Sequence, residues 1–154
     1  MSGAAERLAE LGLTLPPVTP PVAAYVPAVR TGAYVYVSGQ VPVVDGKLAG
    51  TGKVGREVST EDAAGMARIC ALNAIAAAAS VAGGLDAISR IVKVVGFVAS
   101  APGFNGQPQV INGASELLIE VFGEAGRHAR SAIGVAELPL DAPVEVELIA
   151  EVRD

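Results

Sequence analysis

From Val144 to Val152 the chain alternates strictly, with Val144, Val146, Leu148, Ala150 and Val152 apolar and Glu145, Glu147 and Glu151 among the odd positions. Successive side chains of a strand point to opposite faces, so this segment must bury one face and leave the other within reach of water or a partner. A second strand-like run, Arg130-Ser-Ala-Ile-Gly-Val-Ala-Glu-Leu-Pro139, precedes it. An arginine and a glutamate carried on two such strands, if the strands pair, can build a small-molecule site.

Upstream, Tyr34-Val-Tyr-Val-Ser38 alternates as a strand that Gly39 is expected to break, and Asp45-Gly46 is a turn pair that tolerates positive φ. Ser59-Thr-Glu-Asp62 opens a helix in the manner of a capping box, and Ala63 to Ala82 continues it to Gly83-Gly84. Ile91 to Val98 reads as a strand that Pro102-Gly103 ends. Pro108 opens a second helix through Ile111, Leu117, Leu118, Val121 and Phe122, stopped by Gly123. The order of strands, helix, strand, helix, strands predicts an α+β fold, a mixed sheet with both helices on one face and the other face free for a partner. At the N-terminus Ser2 is expected to cap a short helix through about Leu11, and Leu15-Pro-Pro-Val-Thr-Pro-Pro21 forbids helix, so residues 1–20 read as a helix and a Pro-rich arm before one domain over 21–154.

The 154 residues are 51% hydrophobic and 18% charged, with no Trp. A chain this apolar and short has more greasy surface than it can hide alone, which points to a homo-oligomer. A net charge of −5 and the absence of a basic run argue against nucleic acid, whose phosphates need clustered Lys and Arg. Met-Ser-Gly-Ala-Ala-Glu-Arg has neither a basic n-region nor an apolar h-region, and no stretch of roughly 18 apolar residues escapes interruption by charge or Gly, so a cytoplasmic protein that does not enter the membrane is expected. Cys70, the one cysteine, sits in the Ala-rich helix as a small core residue and offers neither a disulfide nor a zinc cluster.

Arg130 precedes the small residues Ser131, Ala132 and Gly134, so its fork has room to take a planar carboxylate; the alternative is a rim arginine in an exposed ion pair. Glu145 lies opposite an apolar face and is placed for proton work, although Glu147 and Glu151 share its face as a solvated row would. His128 is the single histidine, either a general base or a strand-edge residue without a role, and no second His or Cys joins it at a metal.

Three segments resemble the RidA family of reactive-intermediate deaminases, also called L-PSP endoribonuclease-like. These are Tyr25-Val-Pro-Ala-Val-Arg-Thr-Gly32 with Tyr36-Val-Ser-Gly-Gln-Val-Pro42, then Asn112 in the second helix, then Ala129-Arg-Ser131 through Leu138-Pro139 to Val144-Glu-Val-Glu147. The resemblance implies a chorismate-mutase-like fold assembled as a homotrimer, with a pocket between neighbouring subunits. It implies that Arg130 binds a substrate carboxylate, that Glu145 is the acid, and that Tyr25, Ser38, Gly39 and Asn112 line the pocket. The implied reaction is hydrolysis of 2-enamino or 2-imino acids to 2-keto acids and ammonia, with no metal or organic cofactor. The partners so implied are a small carboxylate-bearing ligand and other copies of the chain.

Three departures from the family pattern bear on this. Ala132 stands where many members have cysteine, which removes a covalent cysteine mechanism; residues 99–110 form a longer loop before Asn112; and the N-terminal extension resembles that of a divergent branch. The alternative is a noncatalytic small-carboxylate-binding or stress-protective trimer. A ribonuclease, as the older family label has it, fits poorly with the acidic charge, and chorismate mutase activity rests on fold alone.

Overall fold

The computed structural model describes residues 2–18 and 23–154. A five-stranded mixed sheet runs in the order β1 (Ala28–Thr31), β2 (Tyr34–Gln40), β7 (Val144–Val152), β5 (Ile88–Ala99) and β6 (Ala129–Val135). All neighbours are antiparallel except β5 and β6, which run parallel. A separate hairpin joins β3 (Val43–Val44) to β4 (Lys47–Leu48) through Asp45 and Gly46, both at positive φ as the turn pair predicts.

The alternation read from the sequence is the alternation observed. Val144, Val146, Leu148, Ala150 and Val152 are buried, as are Val35 and Val37 of β2 and Val94 and Val98 of β5. They face α2 (Thr60–Ala82) and α3 (Gln107–Phe122), which lie together on one side of the sheet. Ser59 caps α2 by accepting from the Asp62 backbone N–H at 3.1 Å, and Gly83, at φ 94°, ends it in the left-handed region. By length and composition α2 qualifies as a membrane span, although Gly65 and Arg68 interrupt its apolar run. Here it is a core helix, with Ala67, Cys70, Ala71, Ala74 and Ala78 sealed inside the protein.

Small residues set how deep the helices sit. A Cβ on Gly113 of α3 would stand 2.0 Å from the Ala64 carbonyl oxygen of α2, so the two helices touch backbone to backbone. A Cβ on Gly96 of β5 would run into the Ile111 side chain, so α3 also presses into the sheet.

Two expectations need correcting. Ser2 does not cap the N-terminal helix α1 (Ala4–Glu10); Gly3 holds the cap position, and the free Ala5 N–H donates to Asp86 Oδ1 at 3.1 Å, an acceptor from far along the chain. Nor does Gly39 break β2. The pairing shifts between Val37↔Leu148 and Gln40↔Val146, so Ser38 and Gly39 together face the single residue Glu147 in a β-bulge and the strand continues. In the Pro-rich arm, residues 15–18 form neither helix nor strand, as expected, while 19–22 lie outside the described residues.

Among the described residues no helix covers the opposite face of the sheet. Val29, Tyr34, Tyr36 and Ile133 are between 43% and 51% exposed on it, and a concavity of about 400 Å³ is lined by Val29, Tyr36, Ser38, Lys93, Val95 and Glu147.

Gly113→Ala tests the helix contact. Alanine's better helix propensity would add about 1 kcal/mol, whereas a Cβ driven into backbone costs about 3 kcal/mol. A net loss of about 2 kcal/mol in urea unfolding is therefore expected; a gain in stability would show that the helices do not meet there.

Candidate functional site

β6 and β7 are not paired; β5 lies between them. Arg130 stands in the cross-sheet row Val37, Leu148, Val94, Arg130, whose side chains face the helices. Glu145 stands in the row Glu145, Phe97, Ile133 on the uncovered face. Two strand spacings across and three residues along place their Cα atoms on the order of 14 Å apart. The expectation that paired strands would bring Arg130 and Glu145 into one site is therefore overturned within a single chain. The sequence-predicted residues form two clusters instead.

The first cluster gathers on α3 and β6. Half-buried Arg130 donates from Nη1 to Asn112 Oδ1 at 2.8 Å and to Ser115 Oγ at 3.1 Å, and from Nη2 to the Pro108 carbonyl oxygen at 3.3 Å. All three acceptors are neutral, and no carboxylate among the described residues lies within 4.0 Å. Arg130 is thus not a rim arginine in an ion pair. Three of its five N–H groups fix its plane, leaving two donors and an uncompensated positive charge at the open edge of the sheet.

Ser115 joins this cluster without having been singled out from the sequence, and His128 now has defined partners. The His128 Nδ1 lies 2.6 Å from the Gly126 carbonyl oxygen and its Nε2 lies 2.8 Å from Ser115 Oγ. Burial, foremost, and the Arg130 cation lower the imidazole pKa below its ordinary 6.5, against the opposing pull of the Gly126 carbonyl. The available signal was spacing: Asn112 and Ser115 are one helical turn apart, and His128 and Arg130 are two apart along an extended segment.

The second cluster lies at the β2 bulge. A Cβ on Gly39 would fall 2.7 Å from Glu145 Oε1, so the carboxylate rests directly on the glycine backbone. Ser38 Oγ donates to the Val26 carbonyl oxygen at 2.7 Å, and Ser38 N–H to that of Pro27 at 2.8 Å, which ties down the segment after Tyr25. Tyr25 itself is 58% exposed. Half-buried Glu145 has no ion-pair partner among the described residues, and burial, then the neighbouring Glu147 carboxylate, hold its pKa above the ordinary 4.5. Cys70 is buried behind this strand with its thiol 3.8 Å from the Val144 carbonyl oxygen, and burial pushes its pKa well up, as befits a core residue.

The expected loop over 99–110 is shorter here, since β5 runs to Ala99 and α3 starts at Gln107, and the connection over 100–106 is ordered by its own contacts. Gln107 Nε2 donates to Ser100 Oγ at 3.1 Å and to the Phe104 carbonyl oxygen at 2.8 Å. Phe104 packs over Gly55 and Gly106. This steadies the first turn of α3, from which Pro108 reaches Arg130.

The sequence pattern of the "YjgF/chorismate_mutase-like, putative endoribonuclease" family matches residues 5–152. The chain belongs to this family. Protein TCP17 of Trypanosoma cruzi is 42% identical over 151 residues, covering 97% of this chain and 94% of that protein. The crystal structure of Atu1372 from Agrobacterium tumefaciens, of unknown function, is 48% identical with a TM-score of 0.89, covering 97% of this chain and 92% of that one. The structure of E. coli TdcF with bound serine is 27% identical with a TM-score of 0.64, covering 89% and 94%. The mixed sheet with two helices on one face is thus the YjgF chorismate-mutase-like fold.

A stability measurement tests the Glu145 environment. A carboxyl whose native pKa is raised keeps, in the folded state, a proton that the unfolded chain gives up near 4.5, so stability falls as pH rises from there through the native value. Glu145→Gln is expected to melt above wild type at neutral pH and level with it well below pH 4.5. Equal melting temperatures at both pH values would mean that the carboxylate is not desolvated.

Proposed function

We propose that this chain is a hydrolytic deaminase of 2-imino and 2-enamino acids, working as a homotrimer in which the Arg130 cluster of one subunit faces the Glu145 cluster of the next. The observation that carries the reading is Arg130 itself, a guanidinium fixed in plane by neutral acceptors with its charge and two donors unspent. A planar carboxylate satisfies both at once. The uncovered sheet face, with its exposed valines and tyrosines and its concavity, supports association through the surface that carries Glu145. Serine bound to the relative TdcF supports a small carboxylate-bearing ligand.

In this reading Arg130 orients the substrate carboxylate so that the adjacent C=N carbon faces the neighbouring subunit's bulge. Glu145, its proton affinity raised, holds a water and passes protons between it and the departing nitrogen. Water adds to carbon, the C–N bond of the resulting carbinolamine breaks, and ammonia and a 2-keto acid leave. Positioning of two partners and one proton shuttle meets the demands of a reaction that already runs in water. Asn112 keeps Arg130 in plane, Gly39 admits the Glu145 carboxylate, and Ser38 holds the Tyr25 segment at the pocket wall. Gln107 and Phe104 steady the start of α3, from which Pro108 holds Arg130.

Ammonia and pyruvate release from freshly generated 2-iminopropionate tests this. Arg130→Ala, confirmed folded and assembled, is expected to lose on the order of a hundredfold in kcat/KM, as befits two charge-assisted hydrogen bonds. An undiminished rate would overturn the assignment. The second reading, a noncatalytic carboxylate-binding or stress-protective trimer, draws on the serine bound to TdcF, which binding alone accounts for; saturable pyruvate binding without ammonia release would establish it here.

A further inference from the structure

The deaminase reading leaves His128 and Ser115 unused, yet they form a chain of hydrogen bonds that ends on Arg130. A carbonyl oxygen only accepts, so the 2.6 Å contact with Gly126 places the imidazole proton on Nδ1. The neutral ring, which burial favours over the cation, then offers a lone pair at Nε2. Ser115, 2.8 Å away, has a single proton to give and donates it there. Its oxygen is left with lone pairs, one of which takes the Arg130 Nη1 proton at 3.1 Å. Every link sets the direction of the next, from the Gly126 backbone through the ring and the hydroxyl to the guanidinium.

A serine inside a helix ordinarily turns its hydroxyl back onto the preceding turn, as Ser80 does by donating to the Ala77 carbonyl oxygen at 2.7 Å. Ser115 makes no such bond among the described residues and points to His128 and Arg130 instead. Asn112 alone could hold one Nη1 proton; the second is held by Ser115, and only with its own proton committed elsewhere is Ser115 a pure acceptor toward Arg130. We infer that His128 and Ser115 are positioning residues, a directed relay that presents the Arg130 guanidinium to a substrate carboxylate in one orientation. This rests on Arg130 being the carboxylate site.

His128 is the only histidine in the chain, so its ring nitrogens give unambiguous nitrogen NMR signals. In the assembled wild-type protein the ring is expected to carry its proton on Nδ1, and the Nε2 resonance to move when pyruvate is added. Ser115→Ala and His128→Ala should each raise the pyruvate Kd and the KM for 2-iminopropionate roughly three- to tenfold while kcat stays within about twofold. Ser115→Thr, which keeps the hydroxyl, should restore wild-type values. A ring protonated on Nε2, or a folded Ser115→Ala protein with unchanged pyruvate affinity, would overturn the relay while leaving the Arg130 assignment standing. A wild-type protein that neither binds pyruvate nor hydrolyses the imine would remove the Arg130 assignment and the relay with it.

Discussion

Backbone contact between α2 and α3 is the constraint on which the molecule turns. Gly113 lets α3 lie against the Ala64 carbonyl, and Gly96 lets Ile111 sink into the sheet. Together they set how closely α3 approaches α2 and the sheet. Pro108, Asn112 and Ser115 all belong to that helix, so the acceptors that hold Arg130 are placed by packing between small residues, with the loop before α3 steadying the first turn that carries Pro108. A polar site built this way is rigid because the core behind it is close-packed.

The charges show a matching economy. Among the described residues Arg130 is a cation without an anion and Glu145 an anion without a cation, set on opposite faces of the same sheet. Each is half-buried, where an unmatched charge is more costly than in water. A single chain has no way to join them, since strand geometry fixes both face and spacing. The deaminase proposal joins them through a carboxylate and a neighbouring subunit.

Much of the fold was legible because period-two and helix-capping signals are local. The alternation over Val144–Val152, the Ser59 cap, the Asp45-Gly46 turn and the Gly123 stop each depend on a few adjacent residues, and each is observed. Where the outcome depends on distant chain, sequence reasoning failed. The α1 cap is completed by Asp86, which no reading of residues 1–11 could supply. Gly39 looked like a break because a bulge is defined by the partner strand, here Glu147 of β7. The separation of Arg130 from Glu145 follows from β5 entering between β6 and β7, a fact of topology and not of spacing. Ser115 carried only its one-turn spacing from Asn112, which acquires meaning once His128 is known to sit across from it.

The placement of the tyrosines has a practical consequence. The chain has no tryptophan, and its three tyrosines, Tyr25, Tyr34 and Tyr36, are 58%, 44% and 49% exposed around β1 and β2, away from the helix-covered core. Its ultraviolet emission therefore comes from the rim of the uncovered sheet face. For this protein intrinsic fluorescence is a gauge of what touches β1 and β2, and it reports on the core only through the strand that Tyr34 and Tyr36 share with Val35 and Val37.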